Sequence, residues 1–231
     1  MLPNFAQTPR KYEYGKDEKK MKKIIVPAVI AKDQVELNAI FQKISGNVDL
    51  VQLDVMDGKF VLNHSLDFDF ELDEKYKYEA HLMVKDPDFW IETYGKRIDT
   101  IIAHYEATPN PEKTIRIIKK LGKKAALALN PETEIEKVMD YLNDLDQVLI
   151  MTVQPGFYGS PFLPKVMGKI TKLRELRPEL DVEVDGGINP ETVEMTSKAG
   201  ANMFVSGSYL VKADNMEERV NLLLDMVDRE G

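Results

Sequence analysis

Two aspartates and a histidine offer the chemistry in this chain. Asp185 closes an apolar run in Asp181-Val-Glu-Val-Asp-Gly-Gly-Ile-Asn-Pro190, Asp54 stands in Val51-Gln-Leu-Asp-Val-Met-Asp-Gly58, and His81 in Ala80-His-Leu-Met-Val84. Two carboxylates facing one carbon from opposite sides suit removal of a proton on one face and its return on the other. With Gln52, His81 completes an oxygen-and-nitrogen set able to hold a divalent metal that stabilises an enediolate. The glycines after Asp185 let backbone N–H groups approach a ligand, and the element starting at Asn189-Pro190 favours an anion, so a carboxylate and a phosphate cradle lie side by side. Taken singly, a strand-end Asp is more often a turn or cap residue, a lone His more often a satisfied polar group, and a glycine a simple turn residue. Their recurrence at several strand ends shifts the reading towards a site.

Such residues must be positioned by strands that end together. From residue 24 short apolar runs alternate with amphipathic stretches: strands at 24–30, 48–56, 78–84, 98–104, 125–129, 148–153, 182–185 and 203–206. Helical spacing appears in Val35, Leu37, Ile40, Phe41 and Ile44, again around Phe89, Trp90 and Tyr94, and in Ile115, Ile118 and Leu121. Further helices are expected over 134–141, 162–173, 192–198 and 216–227. Eight strands alternating with helices predict a single (β/α)8 TIM barrel, α/β in class. A doubly wound open sheet is the alternative, but no Gly-x-Gly-x-x-Gly follows the first strand. In a barrel, function gathers at the carboxyl ends of the strands, where Gln52, Asp54, His81, His104, Gln154, Asp185 and Gly207-Ser208 fall. Gln52 and Asp54, two apart, point to the same side, and a buried Asp there must be paired, hydrogen-bonded or metal-bound.

Composition narrows the class. The 231 residues, 43% of them hydrophobic, can bury one large core. A net charge of −8 argues against nucleic-acid binding, and the absence of cysteine removes disulfides, thiolate metal sites and a Cys nucleophile. No apolar run approaches the roughly 20 residues of a membrane span and no signal peptide is visible, so a cytoplasmic protein is expected. Residues 1–23 are polar and charge-mixed and read as a flexible N-terminal extension to a catalytic barrel over 24–231. Exposed apolar residues on the outer helices point to a homo-oligomer.

Five segments, in order, resemble the ribulose-phosphate 3-epimerase family: Val51-Gln-Leu-Asp-Val-Met-Asp-Gly-Lys-Phe-Val61, Ala80-His-Leu-Met-Val84, Val153-Gln-Pro-Gly-Phe-Tyr-Gly159, Val182-Glu-Val-Asp-Gly-Gly-Ile-Asn-Pro190 and Val205-Ser-Gly-Ser208. The resemblance covers nearly all of the chain from Lys23 onward. It implies a ribulose-phosphate-binding TIM barrel interconverting D-ribulose 5-phosphate and D-xylulose 5-phosphate at C3, in the pentose phosphate pathway. Asp54 and Asp185 would be the acid/base pair and also ligands of a zinc, iron or manganese ion, with His81 a third. Met56, Met83 and Met151 would surround the enediolate. Gly156, Phe157, Tyr158 and Gly159, with Gly186, Gly187, Gly207 and Ser208, would hold the phosphate.

Departures from the family pattern accompany the match. Gln52 replaces a metal-binding histidine, so metal should bind weakly. Ala28 replaces a serine in Val26-Pro-Ala-Val-Ile30, Tyr158 and Ser160 alter the phosphate loop, and Leu62 stands at a usual proline. His64, nearby, is a minority candidate for the missing ligand. An epimerase of another ketose phosphate, such as a hexulose 6-phosphate, and a non-catalytic phosphosugar-binding protein are the competing readings.

Overall fold

The computed structural model describes residues 21–44, 48–156 and 159–229. The expected extension therefore lies almost wholly outside the described residues, as do Phe157 and Tyr158 of the phosphate loop. Eight parallel strands form the barrel: β1 (Ile24–Val29), β2 (Leu50–Asp57), β3 (Lys77–Met83), β4 (Thr100–His104), β5 (Lys124–Leu129), β6 (Gln147–Met151), β7 (Asp181–Asp185) and β8 (Met203–Ser206). Each pairs with the next, and β1 pairs with both β2 and β8, so the sheet closes on itself. A two-residue strand, His64–Ser65, adds an antiparallel pairing to the end of β2.

The helices are α1 (Gln34–Lys43), α2 (Pro87–Tyr94), α3 (Pro111–Lys120), α4 (Met167–Leu176), α5 (Val193–Lys198), α6 (Ser208–Val211) and α7 (Met216–Asp228). Their starts are written in the sequence. Asp33, Asp86, Asn110 and Asn215 each accept a hydrogen bond from the backbone N–H three residues on, and proline opens α2 and α3, where no donor is needed. Between β5 and β6 the expected helix over 134–141 is instead two 3-10 turns, Ile135–Lys137 and Met139–Tyr141. Neither has a side-chain cap, and Val138 between them has a φ of −111°, away from helical values. Ile135, Val138 and Leu142 are nonetheless buried, so the apolar spacing marked the covered face correctly and misjudged the backbone.

Outward-facing residues of the strands and the inner faces of the helices form the main core, with Leu37 and Phe41 of α1 and Leu223 and Val227 of α7 among them. Trp90 is buried there beside Tyr94, at 5.5 Å between rings, and is a core residue. Truncating Leu37, which is 0% exposed, to alanine removes apolar contact with no water to replace it, at about 2–5 kcal/mol. Inside the barrel, alternation with period two puts Val26, Ala28, Met203 and Val205 in one apolar group and Ile102, Ala126, Ala128, Leu149 and Met151 in another. Polar side chains complete that interior. Lys23, just before β1, ties the ends of the barrel together: its Nζ donates to the Val227 carbonyl at 2.6 Å and to Ser197 Oγ at 2.9 Å.

Candidate active site

The carboxyl ends of the strands bring the expected residues together. Asp54 on β2 is in register with His81 on β3, and Met151 on β6 with Asp185 on β7. One ligand atom from each of Asp54, His81 and Asp185 lies within 4.8 Å of the others. His81 Nδ1 faces both acids, 3.4 Å from Asp54 Oδ1 and 3.1 Å from Asp185 Oδ2. Asp54 and His81 are buried, and all three side chains point into the barrel. The two carboxyls therefore share one small space.

Burial is the largest influence on the titration of Asp54 and of His81. It raises the pKa of Asp54, and the neighbouring Asp185 charge acts in the same direction against the hydrogen bond to His81. For His81, burial alone would favour the neutral ring, but hydrogen bonds and charge from Asp185 and Asp54 outweigh it and raise the pKa to about 9. The next ring is the opposite case. His104 on β4, with its ring nitrogen Nε2 2.8 Å from His81 Nε2, has its pKa lowered by burial to about 4. A protonated His81 thus donates from Nε2 to neutral His104, which donates from Nδ1 to Glu106 Oε2 at 3.3 Å. Glu106 in turn accepts from Thr133 Oγ1 and from the Asn130 N–H, and the Phe60 ring lies 4.8 Å from His104. This chain of groups orients the His81 ring from behind. The sequence reading places His104 at a strand end but misses Glu106, whose signal is its place two residues beyond His104.

The sequence reading makes Gln52 an oxygen ligand of a metal; in this metal-free structure its amide nitrogen donates to Asp54 Oδ1 at 2.8 Å and Asp185 Oδ2 at 2.9 Å. Carboxylate oxygens accept and do not donate, so the nitrogen is the end they draw in. His64 lies away from the converging side chains. It is exposed, 3.4 Å from Asp67 Oδ2, with its ring packed over Gly58, and is outside the Asp–His–Asp group.

Above the acids opens a cavity of roughly 620 Å³, including its open mouth, floored by Asp54, Asp185, Met56, Met83 and Met151 and walled on one side by glycine turns. Gly156, Gly159, Gly186, Gly187, Gly207 and Ser208 all line it. The turn after β7 leaves little choice of residue: Gly186 has a φ of +117°, and a Cβ there would lie 2.3 Å from Val153 Cγ2. Hydroxyl groups pin the same turn. Thr152 Oγ1 donates to the carbonyls of Asp185 and Gly186 at 2.9 and 2.5 Å, Thr192 Oγ1 to that of Gly187 at 2.7 Å, and Ser206 Oγ to that of Ile188 at 2.8 Å. None of these three was singled out from sequence, because a hydroxyl that binds backbone leaves no motif. On the other side, Asn63 Nδ2 donates to the Gly156 carbonyl at 3.3 Å, so the segment after β2 reaches across to the loop after β6. Ala28 lines the cavity too, at the end of β1.

Two carboxylates and an imidazole nitrogen are a fitting donor set for a divalent cation, and their mutual distances suit a single ion. Asp54, His81 and Asp185 could therefore hold a metal. No helix among the described residues is long and apolar enough to cross a membrane.

The chain is similar to known proteins. The profile of the ribulose-phosphate 3 epimerase family matches residues 24–211. The chain is 37% identical to ribulose-phosphate 3-epimerase of Bacillus subtilis over 214 residues, 85% of this chain and 96% of that protein. It is 35% identical to ribulose-phosphate 3-epimerase of Eremothecium gossypii over 227 residues, 91% and 95% of the two. Among solved structures, 3-keto-L-gulonate-6-phosphate decarboxylase from Vibrio cholerae superposes with a TM-score of 0.65 at 14% identity, covering 90% of this chain and 99% of that one. A 3-hexulose-6-phosphate synthase from Salmonella typhimurium gives 0.62 at 13% identity, covering 91% and 100%. At such identity these two speak for the barrel alone. With the profile spanning the barrel through α6 and full-length relatives above 30% identity, the chain belongs to the ribulose-phosphate 3-epimerase family.

Proposed function

We propose that this enzyme is an isomerase that epimerises D-ribulose 5-phosphate to D-xylulose 5-phosphate at C3, with the barrel over 24–231 as its catalytic unit. The observation that carries this reading is the approach of Asp54 and Asp185 from β2 and β7 to within 4.8 Å of each other and of His81, at the floor of a cavity rimmed by glycine turns. One carboxylate removes the C3 proton of the 2-keto sugar phosphate, and the C–H electron pair moves into a C2–C3 double bond as charge gathers on O2. The carboxylic acid on the opposite face then delivers a proton to C3, which inverts the centre and restores the ketone. Met56, Met83 and Met151 keep water from the planar intermediate while presenting no competing acid. The phosphate rests against Gly156, Gly159, Gly186, Gly187, Gly207 and Ser208, where backbone N–H groups meet its charge.

Asp54, His81 and Asp185 are the residues that would hold a divalent cation, with zinc, iron and manganese the candidates. When bound, such an ion supplies positive charge beside the developing oxyanion. His81 holds its place through His104 and Glu106 with or without it.

Incubation of the purified protein with ribulose 5-phosphate in deuterated water tests the reading. Deuterium at C3 of both epimers is the expected outcome. Exchange restricted to a six-carbon ketose phosphate would transfer the same chemistry to another substrate, and saturable sugar-phosphate binding without exchange would overturn it.

A further inference from the structure

Gln52 precedes Asp54 by two positions on β2 and has no exposed surface. Its Nε2 is within hydrogen-bond distance of Asp54 Oδ1 and Asp185 Oδ2, at 2.8 and 2.9 Å, and 3.4 Å from His81 Nδ1. These are the three side chains whose ligand atoms converge. A single nitrogen therefore stands against every group able to grip a cation. The other end of the same amide, Oε1, is buried with no hydrogen-bond partner. Leaving a buried acceptor unmade is costly, but the reverse orientation would set Oε1 against two carboxylate oxygens and forfeit both N–H bonds, so in the metal-free protein the nitrogen is the end that faces the cluster. The side chain is set to give one N–H to each carboxylate.

We propose that Gln52 is an internal stand-in for the cation. In the metal-free protein its amide bridges the two carboxylates, relieves their repulsion and keeps them at working separation, and it must withdraw before a divalent ion can enter. Metal binding is then a competition between the ion and the chain's own donor. The idea builds on the two-carboxylate reading of the site, but it is tested by a binding equilibrium, so failure of one leaves the other standing.

The experiment is a Zn²⁺ titration of the chelator-stripped full chain against a chromophoric chelator, for the unaltered protein and for Gln52→Leu, which keeps similar bulk without a donor. Because two charge-assisted hydrogen bonds no longer have to be given up, the variant should bind Zn²⁺ at least about tenfold more tightly. The stripped variant should also melt at a lower temperature than the stripped parent and recover more on adding Zn²⁺. Weaker binding would overturn the proposal by making Gln52 an oxygen ligand, and equal binding would overturn it by making the amide a bystander. If leucine prevents folding, the side-chain NH₂ resonance of Gln52 in the unaltered, ¹⁵N-labelled protein gives a second reading. It should shift as Zn²⁺ is added, and an unmoved resonance at saturation would reject the idea.

Discussion

The barrel interior holds two layers built from the same parts, and they behave differently. In the upper layer Asp54 and Asp185 are bridged by the amide of Gln52. In the layer beneath, two residues earlier on β3 and β7, Glu79 and Glu183 flank the amide of Gln147, whose Nε2 donates to Glu183 Oε2 at 2.5 Å and lies 3.4 Å from Glu79 Oε2. Two acids and one glutamine amide recur, yet only the upper set has a histidine between its carboxyls and a cavity above it. The lower three are sealed, with Glu79 and Glu183 at 0% exposure. Burial lifts Glu79 to about pH 7 and Glu183 well above the ordinary carboxylate range, with the Glu79 charge adding to the second. Glu183 therefore keeps its proton and Glu79 titrates near neutrality, so the lower pair carries little charge, while His81 carries the positive charge beside the upper acids. The same side chains become machinery or mortar according to what faces them.

Removing one upper acid should separate the layers most sharply. Asp185→Asn keeps shape and loses the proton acceptor, so kcat should fall by about 10³-fold with the melting temperature nearly unchanged. The deuterium-exchange assay measures the first and calorimetry the second; a loss under tenfold would make the upper acids as dispensable as the lower. The matching change below, Glu79→Gln, should leave kcat within about twofold and act on stability instead. A carboxyl raised from the usual 4.5 to about 7 in the folded state binds more protons folded than unfolded between those values. Its contribution is complete below pH 4.5 and is lost as pH rises through about 7, on the order of a few kcal/mol at most. Urea unfolding from pH 4.5 to 8 should show that decline in the parent and a flatter profile in the variant.

Two smaller effects sharpen the comparison at the rim. Gly186→Ala places a Cβ against Val153 at a φ that alanine avoids, costing about 1–3 kcal/mol of local strain. It should raise KM for the sugar phosphate by about tenfold while kcat, set by the acids, changes less. His64→Ala, at an exposed residue paired only with Asp67 among the described contacts, should alter stability by less than about 0.5 kcal/mol and leave Zn²⁺ affinity unchanged. A drop in metal affinity there would return His64 to the site.

Much of this was legible because barrels reward period two. Apolar runs containing Asp54 and His81 and one ending in Asp185 located both the strands and the upper acids, and the glycines after β6, β7 and β8 marked the cavity wall that the structure displays. The lower layer obeyed the same rule, since Glu79 and Glu183 each stand two residues before an upper residue, but attention to strand ends passed over polar groups placed inside a strand. The orientation of Gln52 was beyond reach, because which end of an amide faces a cluster depends on the charges around it and on no neighbour in sequence. The region 134–141 shows a further limit. Apolar residues three apart satisfy an α-helix and a 3-10 turn alike, and only the missing cap hinted at the shorter form.

The lysine bridge at the base of the cylinder has an engineering consequence. Lys23 grips Val227 and Ser197 beside the starting end of β1, away from the face where the acids emerge. A short tether could fuse residues 21 and 229, and new termini could be cut into the solvent-facing turn at Gly122. Such a rewired ring would be expected to turn over sugar as the parent does, because the catalytic rim never senses where the polymer begins.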